Sequence, residues 1–179
     1  MKHVPNVITI IRLFLIPIFI YMFFSENPYS YIYALAIYLF AGITDLLDGY
    51  LARKYRVVSV VGTVLDPLAD KLMLLTALWC LSAIKAIPLA VFIIMAVIEG
   101  VQILTGFYLY FRPQESVISA NKFGKSATVL FALAVSMMFL IPNSPATIAI
   151  VLLAVAAKVV SFSSYLIHYL RNKQISPKL

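Results

Sequence analysis

The sequence predicts an all-α, polytopic membrane protein with six transmembrane helices in a single domain, residues 1–179, and three observations carry that expectation. Apolar residues make up 63% of the chain and charged residues only 12%, against roughly 45–50% and 25% in soluble domains. The mean hydropathy is +1.00. The apolar residues fall into stretches of about 20, and an α-helix of that length matches the ~30 Å hydrocarbon core of a bilayer. The basic residues are unequally divided between alternate connections, as topology requires of a multi-pass chain.

The first span, about 7–25, follows Lys2 and closes at Ser25-Glu26-Asn27-Pro28. It reads as a span and not as a cleaved signal, because its run exceeds the ~7–15 residues of a signal core. Cleavage at Ala34-Leu35-Ala36 would also sever the second span, about 31–51. That span gives way to a basic turn from Arg53 to Arg56, and a third, about 67–84, is opened by Pro67 and closed by Lys85 to Pro88. The fourth, about 88–110, leads into a polar loop from Arg112 to Lys125; the fifth, about 124–141, meets Pro142-Asn143-Ser144-Pro145, and the sixth covers about 146–169. Pro17, Pro67 and Pro88 read as helix punctuation. No internal repeat or linker divides the chain.

The formal charge of +7, 14 Lys and Arg against 7 Asp and Glu, resolves by position. With the N-terminus inside, Lys2, Arg53, Lys54, Arg56, Arg112, Lys122, Lys125, Arg171, Lys173 and Lys178 are all cytoplasmic, and Lys85 alone is outside. Both termini are expected inside. These cations sit beside anionic headgroups, so no nucleic acid is implied. Cys80, the single cysteine, excludes a disulfide framework and a Cys-based zinc site.

The acids are more concentrated than the bases. Asp45, Asp48, Asp66 and Asp70 lie within 26 residues, leaving only Glu26, Glu99 and Glu115 elsewhere. Asp45 and Asp48 are i,i+3 at the inner end of the second span, and Asp66 and Asp70 are i,i+4 at the start of the third, so each pair shares a helical face. A short connection lets the faces meet near the cytoplasmic surface. Four carboxylates at that density need compensation, and oxygen donors without His or Cys suit Mg²⁺ or Mn²⁺. Two ions are expected, the arrangement that clamps both oxygens of a phosphoryl displacement. Arg53, one turn beyond Gly49, is placed to pair with phosphate, and Gly49 and Gly62 let a ligand approach the backbone.

These residues spell Asp-x2-Asp-Gly-x2-Ala-Arg-x8-Gly-x3-Asp-x3-Asp, which resembles the signature of the CDP-alcohol phosphatidyltransferases at every fixed position. The resemblance extends to six spans, cytoplasmic termini and a motif bridging spans two and three. It implies transfer of a phosphatidyl group from CDP-diacylglycerol to an alcohol with release of CMP, in the cell membrane, by a homodimer. It further implies that Asp45, Asp48, Asp66 and Asp70 ligate the metals, that Asp70 is also the general base, and that Gly49, Arg53, Gly62 and Asp66 line the CDP moiety.

The acceptor is sought at two further places. Pro5-Asn6-Val7-Ile8-Thr9-Ile10-Ile11-Arg12 resembles the opening of bacterial phosphatidylglycerophosphate synthases and of related cardiolipin synthases. Asn6, Thr9 and Arg12 would then face the site from span one. Gly124-Lys125-Ser126-Ala127-Thr128 resembles the start of span five in the same synthases, with Arg112, Lys122 and Lys125 on the right side for an acceptor phosphate. One departure is that Ile98-Glu99 stands where those synthases commonly carry Arg-Glu. Glycerol 3-phosphate is the first acceptor expected, and phosphatidylglycerol, giving cardiolipin, is the second.

Glu99 is expected either to face the polar cavity or to bond a neighbouring helix, and Lys158 either to snorkel or to reach the acceptor phosphate. His3 and His168 read as solvated interfacial residues, and Trp79 with several tyrosines as an aromatic belt. A divalent cation transporter would place its acids near the bilayer midplane in repeated halves. A prenyltransferase would carry two Asp-rich motifs far apart, and this chain has neither pattern.

Overall fold

The computed structural model describes the backbone of residues 4–55, 60–111, 122–142 and 144–175, and the side chains of 9–45, 68–108, 126–142, 144–164 and 166–167. Six helices account for nearly all of it: α1 (Val4–Phe23), α2 (Ser30–Tyr55), α3 (Val60–Ala83), α4 (Leu89–Phe111), α5 (Lys122–Leu140) and α6 (Pro145–Ile175). Among the described residues there is no strand, so the all-α expectation holds.

Several helix boundaries and two proline positions differ from the sequence expectation. Helix α2 runs on to Tyr55, so Arg53 is helical and not part of a turn. Helix α3 begins at Val60, seven residues ahead of Pro67, and Pro67 therefore lies inside it. Pro17 likewise lies within α1. Each proline forgoes one i→i−4 bond, a loss that packing and apolar surroundings tolerate better than a single helix in water does. Pro88 does precede a helix, α4, and its carbonyl accepts from the Val91 N–H at 3.0 Å.

The connections are closed by local bonds. At the start of α2, Asn27 Oδ1 accepts from the Tyr29 N–H, and the Asn27 carbonyl accepts from the Ser30 N–H, both at 2.9 Å. At the start of α6, Pro145 takes the first helical position, where its missing N–H costs nothing, and the Ser144 carbonyl accepts from Ile148 at 3.0 Å. Helix α3 ends in a Schellman turn: the Ala86 N–H donates to the Leu81 carbonyl and the Lys85 N–H to Ser82, each at 2.9 Å. Lys85 holds the left-handed position of that turn with φ 59°, where glycine is usual.

Helix α1 packs on α2 and α3, α2 on α5, α3 on α4, and α6 on α4 and α5. Small residues at the crossings, Ala34, Ala41, Ala77, Ala134 and Ala154, are all buried and let the backbones approach. One end of the core is aromatic: Phe139 meets Phe19, Phe23 and Tyr38 at centroid distances of 5.8, 5.9 and 6.1 Å. The outside is as apolar as the inside. Phe14, Tyr21, Phe40, Ile93, Leu104, Leu133, Leu153 and Ile167 are among many large apolar side chains that are exposed. Among the described residues, two helices are long and apolar enough to cross a membrane, through Leu89–Tyr108 and Pro145–Ser164. Only 22% and 28% of those windows are buried, whereas a soluble core helix would be mostly buried.

Candidate active site

Each helix that reaches the site carries a buried apolar stripe that ends in a charged residue. On α2 the interior positions Ala34, Tyr38 and Ala41 continue to Asp45. On α3, Leu81, Ala77 and Leu74 lead back to Asp70, and Leu78 and Leu74 lead back to Lys71. On α4, Val91 and Met95 lead to Glu99, and on α6, Val151 and Val155 lead to Lys158. The i,i+3 and i,i+4 spacings that fill the core thus also aim these charges inward.

Asp45 and Asp70, from α2 and α3, are the two predicted carboxylates whose side chains are described, and they lie within electrostatic reach of one another. Arg12 stands between the two helices from α1. It is 1% exposed, and its Nη1 donates to Asp45 Oδ1 at 2.8 Å, while Asp45 is 37% exposed. Asp70 is exposed and lies within reach of Arg12, Lys71, Glu99 and Tyr38 as well. Thr9, one turn before Arg12 on α1, is fully buried.

The remaining nitrogens of Arg12, Nε and Nη2, are buried and have no hydrogen-bond partner among the described residues. These two form the side-on fork of a guanidinium, the edge that takes two oxygens of a phosphate or carboxylate in parallel. A buried donor without a partner forfeits its hydration, at about 1–3 kcal/mol each. The fork is therefore a place for an oxyanion.

A second cluster lies beside the first. Lys71 Nζ donates to Glu99 Oε2 at 2.6 Å and to Gln102 Oε1 at 2.8 Å, and Lys158 Nζ donates to Glu99 Oε1 at 2.8 Å. Glu99 therefore bonds neighbouring helices through both carboxylate oxygens. Lys158 is 6% exposed, so it is a buried partner of Glu99 and does not snorkel. Lys71 has no place in the sequence expectation. The signal that would have found it is its register, three and seven residues before Leu74 and Leu78 on the buried face of α3.

The other expected site residues are on helices but their side chains lie outside the described set: Asn6 on α1, Asp48, Gly49 and Arg53 on α2, Gly62 and Asp66 on α3, and Lys122 and Lys125 on α5. Arg112 lies outside the described residues altogether. Among the described side chains no three ligand-type residues gather, as follows from two of the four aspartates being outside that set. What the structure does bring together, two acids from separate helices beside an arginine with an open fork, is an oxygen-only donor set that fits Mg²⁺ or Mn²⁺ and a phosphate.

The fold and this grouping define a class: an apolar helical bundle with an acidic cluster flanked by a buried arginine. The chain belongs to the CDP-alcohol phosphatidyltransferase family, which it matches over residues 2–161. It is similar to the CDP-diacylglycerol–glycerol-3-phosphate 3-phosphatidyltransferase of Bacillus subtilis, 32% identical over 152 residues and 78% of each chain. A protein of the same name from Pseudomonas fluorescens is 49% identical over 76 residues, 42% of this chain and 39% of its own. A cardiolipin synthase (CMP-forming) / mitochondrial hydrolase fusion protein of Schizosaccharomyces pombe is 43% identical over 85 residues, 48% of this chain and 14% of its own. The chain thus spans less than half the length of the last two relatives.

Proposed function

We propose that this protein transfers a phosphatidyl group from CDP-diacylglycerol to glycerol 3-phosphate, releasing CMP and forming phosphatidylglycerol phosphate. The observation that carries the reading is the convergence of Asp45, Asp70 and the open Arg12 fork. The name of the Bacillus subtilis relative supports the acceptor.

Asp45, Asp48, Asp66 and Asp70 would hold one or two Mg²⁺ or Mn²⁺ ions, which when bound supply Lewis-acid polarisation of the diphosphate. The acceptor hydroxyl oxygen attacks the phosphorus that bears diacylglycerol, its proton passes to the Asp70 carboxylate, and the bond from that phosphorus to the CMP oxygen breaks. Gly49, Arg53, Gly62 and Asp66 line the CDP moiety. Arg12 takes a phosphate oxygen of the acceptor on Nε and Nη2, with Asn6, Thr9, Arg112, Lys122 and Lys125 as further acceptor contacts.

The exposed apolar side chains on the helices support six membrane spans, and the excess of Lys and Arg in alternate connections supports a cytoplasmic placement of both termini and the site. A homodimer is part of the same reading, as the resemblance of the motif implies. Cardiolipin synthesis with phosphatidylglycerol as acceptor is a second reading, favoured by Ile98 preceding Glu99 and by the Schizosaccharomyces pombe relative.

The test is CMP release from CDP-diacylglycerol by purified protein with Mg²⁺ or Mn²⁺, against glycerol 3-phosphate, phosphatidylglycerol, inositol phosphate and serine, with the lipid product identified. Phosphatidylglycerol phosphate as the main product, lost on chelation and restored by Mn²⁺, is the expected outcome. Cardiolipin as the main product replaces the first reading with the second, and no CMP with any acceptor overturns both.

A further inference from the structure

One cation is enough to neutralise Glu99, and it has two. Lys71 and Glu99 alone would make a closed pair, with Gln102 taking a second donor of the ammonium. Lys158 adds a third charge from α6, at 6% exposure, against a carboxylate that is itself only 3% exposed. A buried cation without its own counter-ion is expensive in an apolar bundle, more so than an apolar side chain of the same length. Folding alone gives no reason for a lysine at this position.

The placement of the cluster gives one. Among the described residues α6 packs on α4 and α5 and does not pack on α3. Its link to α3 runs through Glu99, whose two oxygens are divided between the two lysines. By taking Oε1, Lys158 fixes the plane of the carboxylate and leaves Oε2 facing Lys71. Lys71 follows Asp70 directly, and consecutive residues of an α-helix point about 100° apart around the axis. With Lys71 bonded toward α4, the rotation of this turn also fixes where Asp70 stands, within electrostatic reach of Arg12 on α1, Asp45 on α2 and Glu99 on α4.

We propose that Lys158 is a positioning residue for the transfer reaction, acting through Glu99 and Lys71 to set the rotation of the α3 turn that carries Asp70. The role rests on the transferase reading above. Its signature is a residue whose removal leaves the fold intact and slows the chemistry.

The experiment compares Lys158→Met, Lys158→Arg and wild type in the CMP-release assay, with KM for each substrate, kcat and thermal unfolding measured on the same preparations. Lys158→Met leaves the Lys71–Glu99 pair closed, so its unfolding temperature should equal or exceed that of wild type. Its kcat should fall about tenfold or more, within the range that a displacement of ~1 Å brings, while both KM values stay within about twofold. Lys158→Arg, which keeps a cation and donors for Oε1, should recover kcat to within about threefold of wild type.

Equal kcat in Lys158→Met and an active wild type overturns the positioning role and leaves the transferase reading standing. A rise confined to the acceptor KM also overturns it, because Lys158 then touches the acceptor. Loss of folded protein in both Lys158→Met and Lys158→Arg assigns the lysine to the fold alone and overturns it too. A wild type that releases no CMP with any acceptor overturns the transferase reading, and this role with it.

Discussion

Glu99→Gln is the substitution on which the electrostatics of this bundle can be checked most directly. Gln has nearly the same shape and still offers one carbonyl oxygen, so packing is preserved and only the charge is lost. That leaves Lys158, at 6% exposure, without an anion among its described neighbours, and Lys71, at 16%, with only Asp70 within electrostatic reach. Breaking one buried pair by removing a partner costs about 3–5 kcal/mol, because the other charge is left buried and alone. Two cations are orphaned here, but they are not equal. Lys71 keeps Gln102 Oε1 at 2.8 Å and has some access to solvent, whereas Lys158 loses the one partner it has among the described residues. The total should therefore be about 3–5 kcal/mol and not twice that. For a chain of this size the loss corresponds to roughly 6–20 °C in unfolding temperature. The double variant Glu99→Gln/Lys158→Met removes the more deeply orphaned cation and should recover about half of the loss. The chain has a single tryptophan, Trp79 on α3, packed edge-on against Phe24 at 6.0 Å, and its fluorescence follows unfolding in detergent. A Glu99→Gln protein melting within about 2 °C of wild type, or a double variant no more stable than Glu99→Gln, would refute the claim that this cluster is held by charge.

Two further outcomes follow from the geometry. Arg12→Met should lower kcat/KM about 10- to 150-fold, the loss of one charge-assisted bond of about 1.5–3 kcal/mol, while the unfolding temperature changes little because two unpartnered donors leave the core with the guanidinium; unchanged kcat/KM would remove Arg12 from the site. Lys85→Gly should stabilise the protein by about 0.5–1 kcal/mol by relieving a side chain from the left-handed position of the Schellman turn at φ 59°, and an unfolding temperature lower than wild type would show that the turn does not govern stability there.

Much of the arrangement was readable from residue order, and what was missed has a physical cause in each instance. The six helices follow from apolar runs and the turn residues between them. Pro67 resembles a helix boundary, yet α3 starts ahead of it because Val60, Val61, Val64 and Leu65 extend the apolar run of the helix. A basic run such as Arg53-Lys54 resembles a loop, yet lysine and arginine are good helix formers and α2 continues through them. Asp45 and Asp70 could be paired from spacing because a short connection forces α2 and α3 to be neighbours. The partner of Glu99 could not be, since which lysine it meets depends on α4 lying beside both α3 and α6, a fact of packing at sequence separations of 28 and 59 residues.

The six described charges of the two clusters add to zero: Arg12, Lys71 and Lys158 against Asp45, Asp70 and Glu99. They are not paired off evenly. Glu99 holds two cations, Asp45 holds Arg12, and Asp70 has charges on several sides while remaining exposed. If every acid had its own base, the bundle would be neutral residue by residue and would have nothing left with which to attract a ligand. Crowding the cations of α3 and α6 onto Glu99 instead leaves Asp70 uncommitted next to Asp45, and Arg12 spends one nitrogen on Asp45 while its other two stay open. An uncommitted carboxylate calls for a cation or a proton, and an open guanidinium fork calls for an oxyanion. Under the proposed function, a diphosphate substrate with a bound Mg²⁺ or Mn²⁺ and an acceptor hydroxyl would supply all three, and the imbalance within a neutral set would be what fits this bundle to that reaction.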